Sequence, residues 1–133
     1  MIHSSKSHFA FTLVEIMVVV AIISMLAAIA VPNFMRARKR SQATIILEQL
    51  RIIDSAIDQY AIETNKASGA TASWSDLQAY LKKGSQLYNS TGMDTLGGLF
   101  VGFTVDQIPK LRSSSYTQLS DVAPASFWSP YYP

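Results

Sequence analysis

Residues 11–34 read FTLVEIMVVVAIISMLAAIAVPNF, and every other segment of the chain takes its meaning from this one. From Phe11 to Val31 there are 21 residues and a single charge, Glu15. At 1.5 Å per residue a helix over that run reaches about 31 Å, close to the thickness of bilayer hydrocarbon. Val, Ile, Leu, Met and Ala dominate it, and Gly and Pro are absent, which favours an uninterrupted helix. Pro32 follows the run. A proline deletes one backbone hydrogen bond and clashes with the preceding turn, so a kink or local loosening is expected there. Glu15 needs a separate explanation. A carboxylate in hydrocarbon costs about 2.5–3.5 kcal/mol at the bilayer centre and less near an interface. Such an acid is by default a site with a partner, and the run contains no cation to serve as one.

The composition agrees with a membrane segment. The chain has 133 residues, enough for one domain. Hydrophobic residues make up 49% and charged residues 15%, whereas a soluble domain carries roughly 25% charged residues. There is no cysteine, which excludes disulfides and thiolate metal sites. Both histidines, His3 and His8, precede the apolar run, so Ser-His, Cys-His and His-ligated metal chemistry are excluded from all that follows. No paired carboxylates share an evident face, and an enzyme is not expected. The basic residues Arg36, Arg38, Lys39 and Arg40 cluster just beyond the run. From Ser41 onward six basic side chains face eight acidic ones, which leaves no basic surface for nucleic acid. A basic cluster beside an apolar helix meets lipid headgroups or solvent.

Phe11-Thr12-Leu13-Val14-Glu15, then Ile16 to Ile23, then Leu26 to Phe34, together resemble the cleavage and methylation motif of type IV pilins and type II secretion pseudopilins. In that family a short polar leader is cut on the cytoplasmic side just before the phenylalanine, and the same membrane aspartyl peptidase methylates the new N-terminus. The resemblance implies cleavage between Ala10 and Phe11 and an N-methylated Phe11. Ala10 stands where the family usually has glycine, and Phe9 where it often has a basic residue. The positive-inside bias would place Arg36–Arg40 in the cytoplasm. The resemblance implies the opposite, leader inside and body outside, and is followed here because its motif is the more specific signal.

The resemblance also implies a partner for Glu15. Removing the leader leaves Phe11 with an α-amine, still cationic after methylation. Within one helix that amine and Glu15 are expected one turn apart, with Glu15 favoured by the helix dipole. Between copies, Glu15 of one chain can pair with the Phe11 amine of the next. Such a head-to-tail contact does not close and generates a helical filament. Leaving either charge unpaired in low dielectric is costly, so the pair would enforce axial register.

From Ser41 to Thr64 apolar residues recur at Ile46, Leu50, Ile53, Ile57 and Tyr60, with Ala43, Leu47 and Ala61 widening the stripe. This is helical spacing with one core-facing side. Asn65 to Ser73 reads as a polar loop. Ser73 with Asp76 forms a capping-box pattern before a short helix over Trp74–Lys83, with Trp74, Leu77, Tyr80 and Leu81 inward and Gly84 as its left-handed stop. Leu99, Val101, Phe103 and Val105 alternate with Phe100, Gly102, Thr104 and Asp106, which predicts a strand bounded by Gly97-Gly98 and Pro109. Asp94, Gly97 and Phe100 are similar to residues of the Asp-Pro-Trp-Gly-Asn-Pro-Tyr turn of major pseudopilins. Those proteins also bind calcium in a later loop. Asp106 and Asp121 are isolated acids here, where calcium needs several oxygens at once, so no metal and no cofactor is assigned. In the aromatic tail, Phe127 and Trp128 are expected in the core.

The expected fold is α+β, a long N-terminal α-helix, membrane-spanning in its first half, packed on a small antiparallel β-sheet head. The expected divisions are a leader at 1–10, a transmembrane and assembly helix at 11–34, an amphipathic continuation at 35–64 and a head at 65–133. The resemblance implies a structural subunit of a type IV pilus or type II secretion pseudopilus, in which Ala10 and Phe11 serve processing and Phe11 and Glu15 serve assembly, with Pro32 the kink. It further implies copies of itself or other pilins, prepilin peptidase, an inner-membrane assembly platform and membrane lipid as partners. The chain would be single-pass in the inner membrane, with its head in the periplasm until assembly. The alternative is an exported or anchored binding module that uses 11–31 only as signal or anchor. Ala28-Ile29-Ala30 offers such a signal its cleavage site.

Overall fold

The structure, a computed structural model, describes residues 9–133. Residues 1–8, which hold most of the expected leader with His3, Lys6 and His8, lie outside the described residues. A 52-residue helix, α1 (Leu13–Thr64), is followed by α2 (Trp74–Gln78), α3 (Gln86–Asn89), α4 (Ser113–Leu119) and a single 3-10 turn at Ala125–Trp128. The chain divides into two compact units, the described residues as far as Arg36 and the residues Ala37–Pro133.

In the first unit the apolar side chains of α1 are all exposed, with no protein packed over them. Among the described residues α1 is the one helix long and apolar enough to cross a membrane. It is helical on both sides of Pro32. The Ser24 hydroxyl donates to the Val20 carbonyl at 2.7 Å, so it is satisfied within the helix and needs no water.

In the second unit the later part of α1 supplies one wall of the core. The helical stripe reads as expected, with Ala43, Ile46, Leu47, Leu50, Ile53, Ile57 and Tyr60 all buried and Ala61 half-buried. Leu77, Leu81, Leu87, Phe100, Val105, Leu111, Leu119 and Trp128 close over it. The helix ends where Asn65 turns left-handed at φ 50, and the Lys66 N–H bonds back to the Ala61 carbonyl at 3.0 Å.

Ser73 and Asp76 make the expected reciprocal cap of α2, with Ser73 N–H donating to Asp76 Oδ2 at 2.9 Å and Asp76 N–H to Ser73 Oγ at 3.4 Å. The hydroxyl and backbone of Ser73 hold the Asp76 carboxyl below its ordinary pKa. The helix stops at Gln78 and does not run to Lys83. Tyr80 N–H bonds to Leu77 and Leu81 N–H to Gln78, an i→i+3 tightening that turns Leu81 into the core. Gly84, at φ +80, is left-handed as expected but follows this turn.

The expected antiparallel sheet is absent among the described residues. Three isolated antiparallel bridges stand in its place: Thr71↔Thr104, Met93↔Leu99 and Val101↔Lys110. The alternation of 99–105 is interrupted at Gly102, which turns left-handed at φ +84, and Asp106 does the same at φ 61. Extended runs of two or three residues cannot build a ladder, and the head is a cap of short helices and turns. Phe100 and Val105 are the buried members of that segment, while Leu99 and Val101 are exposed.

The tail closes the core. Trp128 is fully buried and its Nε1 donates to the Ala123 carbonyl at 3.1 Å, while half-buried Phe127 meets it edge-on at 5.1 Å. The Tyr131 hydroxyl donates to Asp54 Oδ2 at 3.2 Å, tying the tail to α1. Burial, then the Asp54 charge and hydrogen bond, push the Tyr131 phenol above its ordinary pKa. Burial also raises Asp54, opposed by the Tyr131 hydrogen bond and reinforced by Asp58. A raised phenol pKa contributes stability that is complete below the unfolded value of 10.0 and is lost as pH rises towards the folded value. Tyr131→Phe is therefore expected to flatten the alkaline loss of stability above about pH 10 and to raise Asp54 further. Denaturation curves across that range and an NMR titration of Asp54 check both.

Candidate processing and assembly site

Residues Phe9 to Thr12 have no regular secondary structure and are exposed, and α1 starts at Leu13. The Ala10–Phe11 bond expected to be cut therefore lies in open chain just ahead of a helix, where a peptidase can bind backbone. Phe9, Ala10, Phe11 and Glu15 line one open depression of about 190 Å³. The expected processing bond and the expected assembly acid thus share a surface.

Glu15 is held by a contact that sequence reasoning missed. Glu15 N–H donates to Thr12 Oγ1 at 3.2 Å, and Thr12 N–H donates back to Glu15 Oε2 at 2.9 Å. This is a capping box, with Thr12 as N-cap and Glu15 at the third helical position, where the dipole also favours a carboxylate. The signal was present as Thr12-x-x-Glu15, a spacing recognised at Ser73-x-x-Asp76 but not here. In the uncut chain Phe11 therefore precedes the helix and lies outside its first turn. The cap uses Oε2 of Glu15 and leaves Oε1 for a second donor.

Pro32 lies in the interior of α1. Of the basic cluster, Arg36, Arg38 and Arg40 are exposed, while half-buried Lys39 pairs with Asp121 at 2.9 Å. Asp106, the other acid weighed for calcium, sits in a left-handed turn position.

The turn that resembles the pseudopilin one is built around a buried carboxylate. Asp94 Oδ1 accepts from the N–H groups of Leu96 and Gly98, each at 2.8 Å, and Oδ2 accepts from Ser115 Oγ at 2.5 Å. Asp94 and Ser115 are both buried, so the contact fastens the 94–98 turn to α4. Nothing in the local sequence points from Asp94 to Ser115, twenty-one positions later.

Residues 5–31 match the family model described as the prokaryotic N-terminal methylation motif. The chain is 40% identical over 55 residues to the type IV wide pilus major component PilA4 of Thermus thermophilus, covering 41% of this chain and 42% of that protein. It is 33% identical over 98 residues to a type IV major fimbrial protein FimA of Dichelobacter nodosus, covering 72% and 63% of the two chains. It is 36% identical over 56 residues to the type II secretion system core protein G of Pectobacterium carotovorum, covering 42% and 36%. The chain thus spans between about a third and two thirds of the length of these relatives. No solved structure matches it.

Proposed function

We propose that this type IV pilin-like chain is a structural subunit of a pilus or pseudopilus filament, processed at Ala10–Phe11 and assembled through Phe11 and Glu15. The observation that carries the reading is the prepared N-terminus: an accessible Ala10–Phe11 bond beside a carboxylate whose one oxygen is committed to Thr12. Cleavage would convert the neutral Phe11 amide into a cationic amine. In a filament the Phe11 amine of one copy would meet the free Oε1 of Glu15 in the next, while Thr12 N–H keeps Oε2 oriented. Neither charge then remains unpaired among the apolar helices, and only one axial stagger satisfies both. The exposed apolar surface from Leu13 to Val31 holds the precursor in the membrane and packs against other copies after extraction. Pro32, lacking an N–H, supplies the point at which α1 can bend in that packing.

Prepilin peptidase, an inner-membrane assembly platform and membrane lipid are the partners this reading requires, with the Ala37–Pro133 unit on the periplasmic side. The role is structural and not catalytic. Shearing cells that express the chain and collecting fibres by ultracentrifugation tests it. Mature chain in the fibre pellet is the expected result. Chain confined to the membrane fraction, in cells that assemble other filaments of this type, would overturn it.

A further inference from the structure

The Ala37–Pro133 unit carries two exposed apolar surfaces that its own core leaves uncovered. One is a groove of about 520 Å³ between α1 and residues 82–87. Ile45 and Ile52 lie in it two helical turns apart and are exposed, Leu87 stands across from them, and Glu48 and Lys82 also line it. Gln49 also lines the groove but is only 5% exposed, its Oε1 turned inward and away from the surface.

The second surface follows from the bridges. Residues opposed in an antiparallel bridge point to the same side, as do residues two apart in extended chain. Met93↔Leu99 and Val101↔Lys110 therefore put Met93, Leu99, Val101 and Lys110 on one face. The three apolar members are 43%, 45% and 46% exposed, while Phe100 turns the other way into the core. This face carries one ammonium and no acid.

Resting on the filament reading, we propose that the Met93–Leu99–Val101–Lys110 face of one copy docks into the Ile45–Gln49–Ile52 groove of the next. The apolar residues cover one another, and Lys110 reaches Glu48. Glu48 already meets Arg51 at 3.6 Å on the exposed face of α1, and Lys110 adds a second cation to that carboxylate. Lys82, at the opposite wall, repels Lys110 and rejects the reversed orientation. The two surfaces differ, so the contact is heterologous and repeats without closing.

The chain contains no cysteine, so introduced thiols are unique and a bismaleimide reagent reads the contact in the full chain. Membranes carrying Ile52→Cys and Leu99→Cys copies together are expected to give the mixed dimer about tenfold above either variant alone, and the double variant a ladder. Glu48→Lys and Lys110→Glu, both at exposed positions, should each abolish the ladder, and their combination should restore it. Dimers from Ile52→Cys alone would mean groove meets groove and would overturn the proposal. Fibres without the ladder would overturn it and leave the filament reading standing, whereas failure of the unaltered chain to enter fibres would sink that reading itself.

Discussion

Glu15→Ala is expected to leave the chain in the membrane and to lower its incorporation into fibres by about a hundredfold or more. The estimate follows from stranding the Phe11 amine in low dielectric, at about 3–5 kcal/mol. Two further variants separate charge from cap, because Glu15 serves both. Glu15→Gln keeps an oxygen for Thr12 N–H but loses the charge, and should fail almost as completely as Glu15→Ala. Thr12→Ala removes the hydroxyl that receives Glu15 N–H, costs about 1 kcal/mol of helix start, and should leave most fibre formation intact. Quantitative blotting of sheared fibres against membranes measures all three. Full activity of Glu15→Gln with failure of Thr12→Ala would assign the acid to capping alone.

The second large effect is expected at the buried carboxylate. Asp94→Ala strands the N–H groups of Leu96 and Gly98 and the Ser115 hydroxyl at once, and should cost about 3–4 kcal/mol. Gly98→Ala should approach that cost by a different route. A Cβ there would lie 2.5 Å from Ser115 Oγ and 2.8 Å from Asp94 Oδ2, two atoms already bonded to one another. For a chain of this size the melting temperature should fall by about 10 °C in either variant. Asp106→Asn, at an exposed left-handed position that Asn also tolerates, should stay within about 0.5 kcal/mol of the parent. Thermal melts of the full chain in detergent decide the matter, and an Asp94→Ala variant that melts with the parent would remove the network from the account.

What the sequence disclosed follows from how local each signal is. The apolar run and the Ile46–Tyr60 stripe are periodic over many turns, and α1 with its buried face could be read directly. The Ser73–Asp76 cap is encoded within four residues. The sheet was misjudged because four alternating residues satisfied the period-2 pattern, while the left-handed Gly102 in their midst decided the backbone. The helix α4 and the 3-10 turn carry no strong apolar period, and tertiary contacts from Leu119 and Trp128 settle them. At the N-terminus the motif singles out Ala10, Phe11 and Glu15, and the structure places all three around one depression. The part Thr12 plays in aiming Glu15 was legible only through a capping spacing inside a segment read for its hydropathy. The Asp94–Ser115 contact joins residues far apart in the chain, and no local pattern announces it.

The most direct test of the whole account is the N-terminal mass of the chain recovered from membranes and fibres. A mature chain beginning at N-methylated Phe11 is the predicted result. A chain beginning at Val31, or one that still carries residues 1–10, would contradict it.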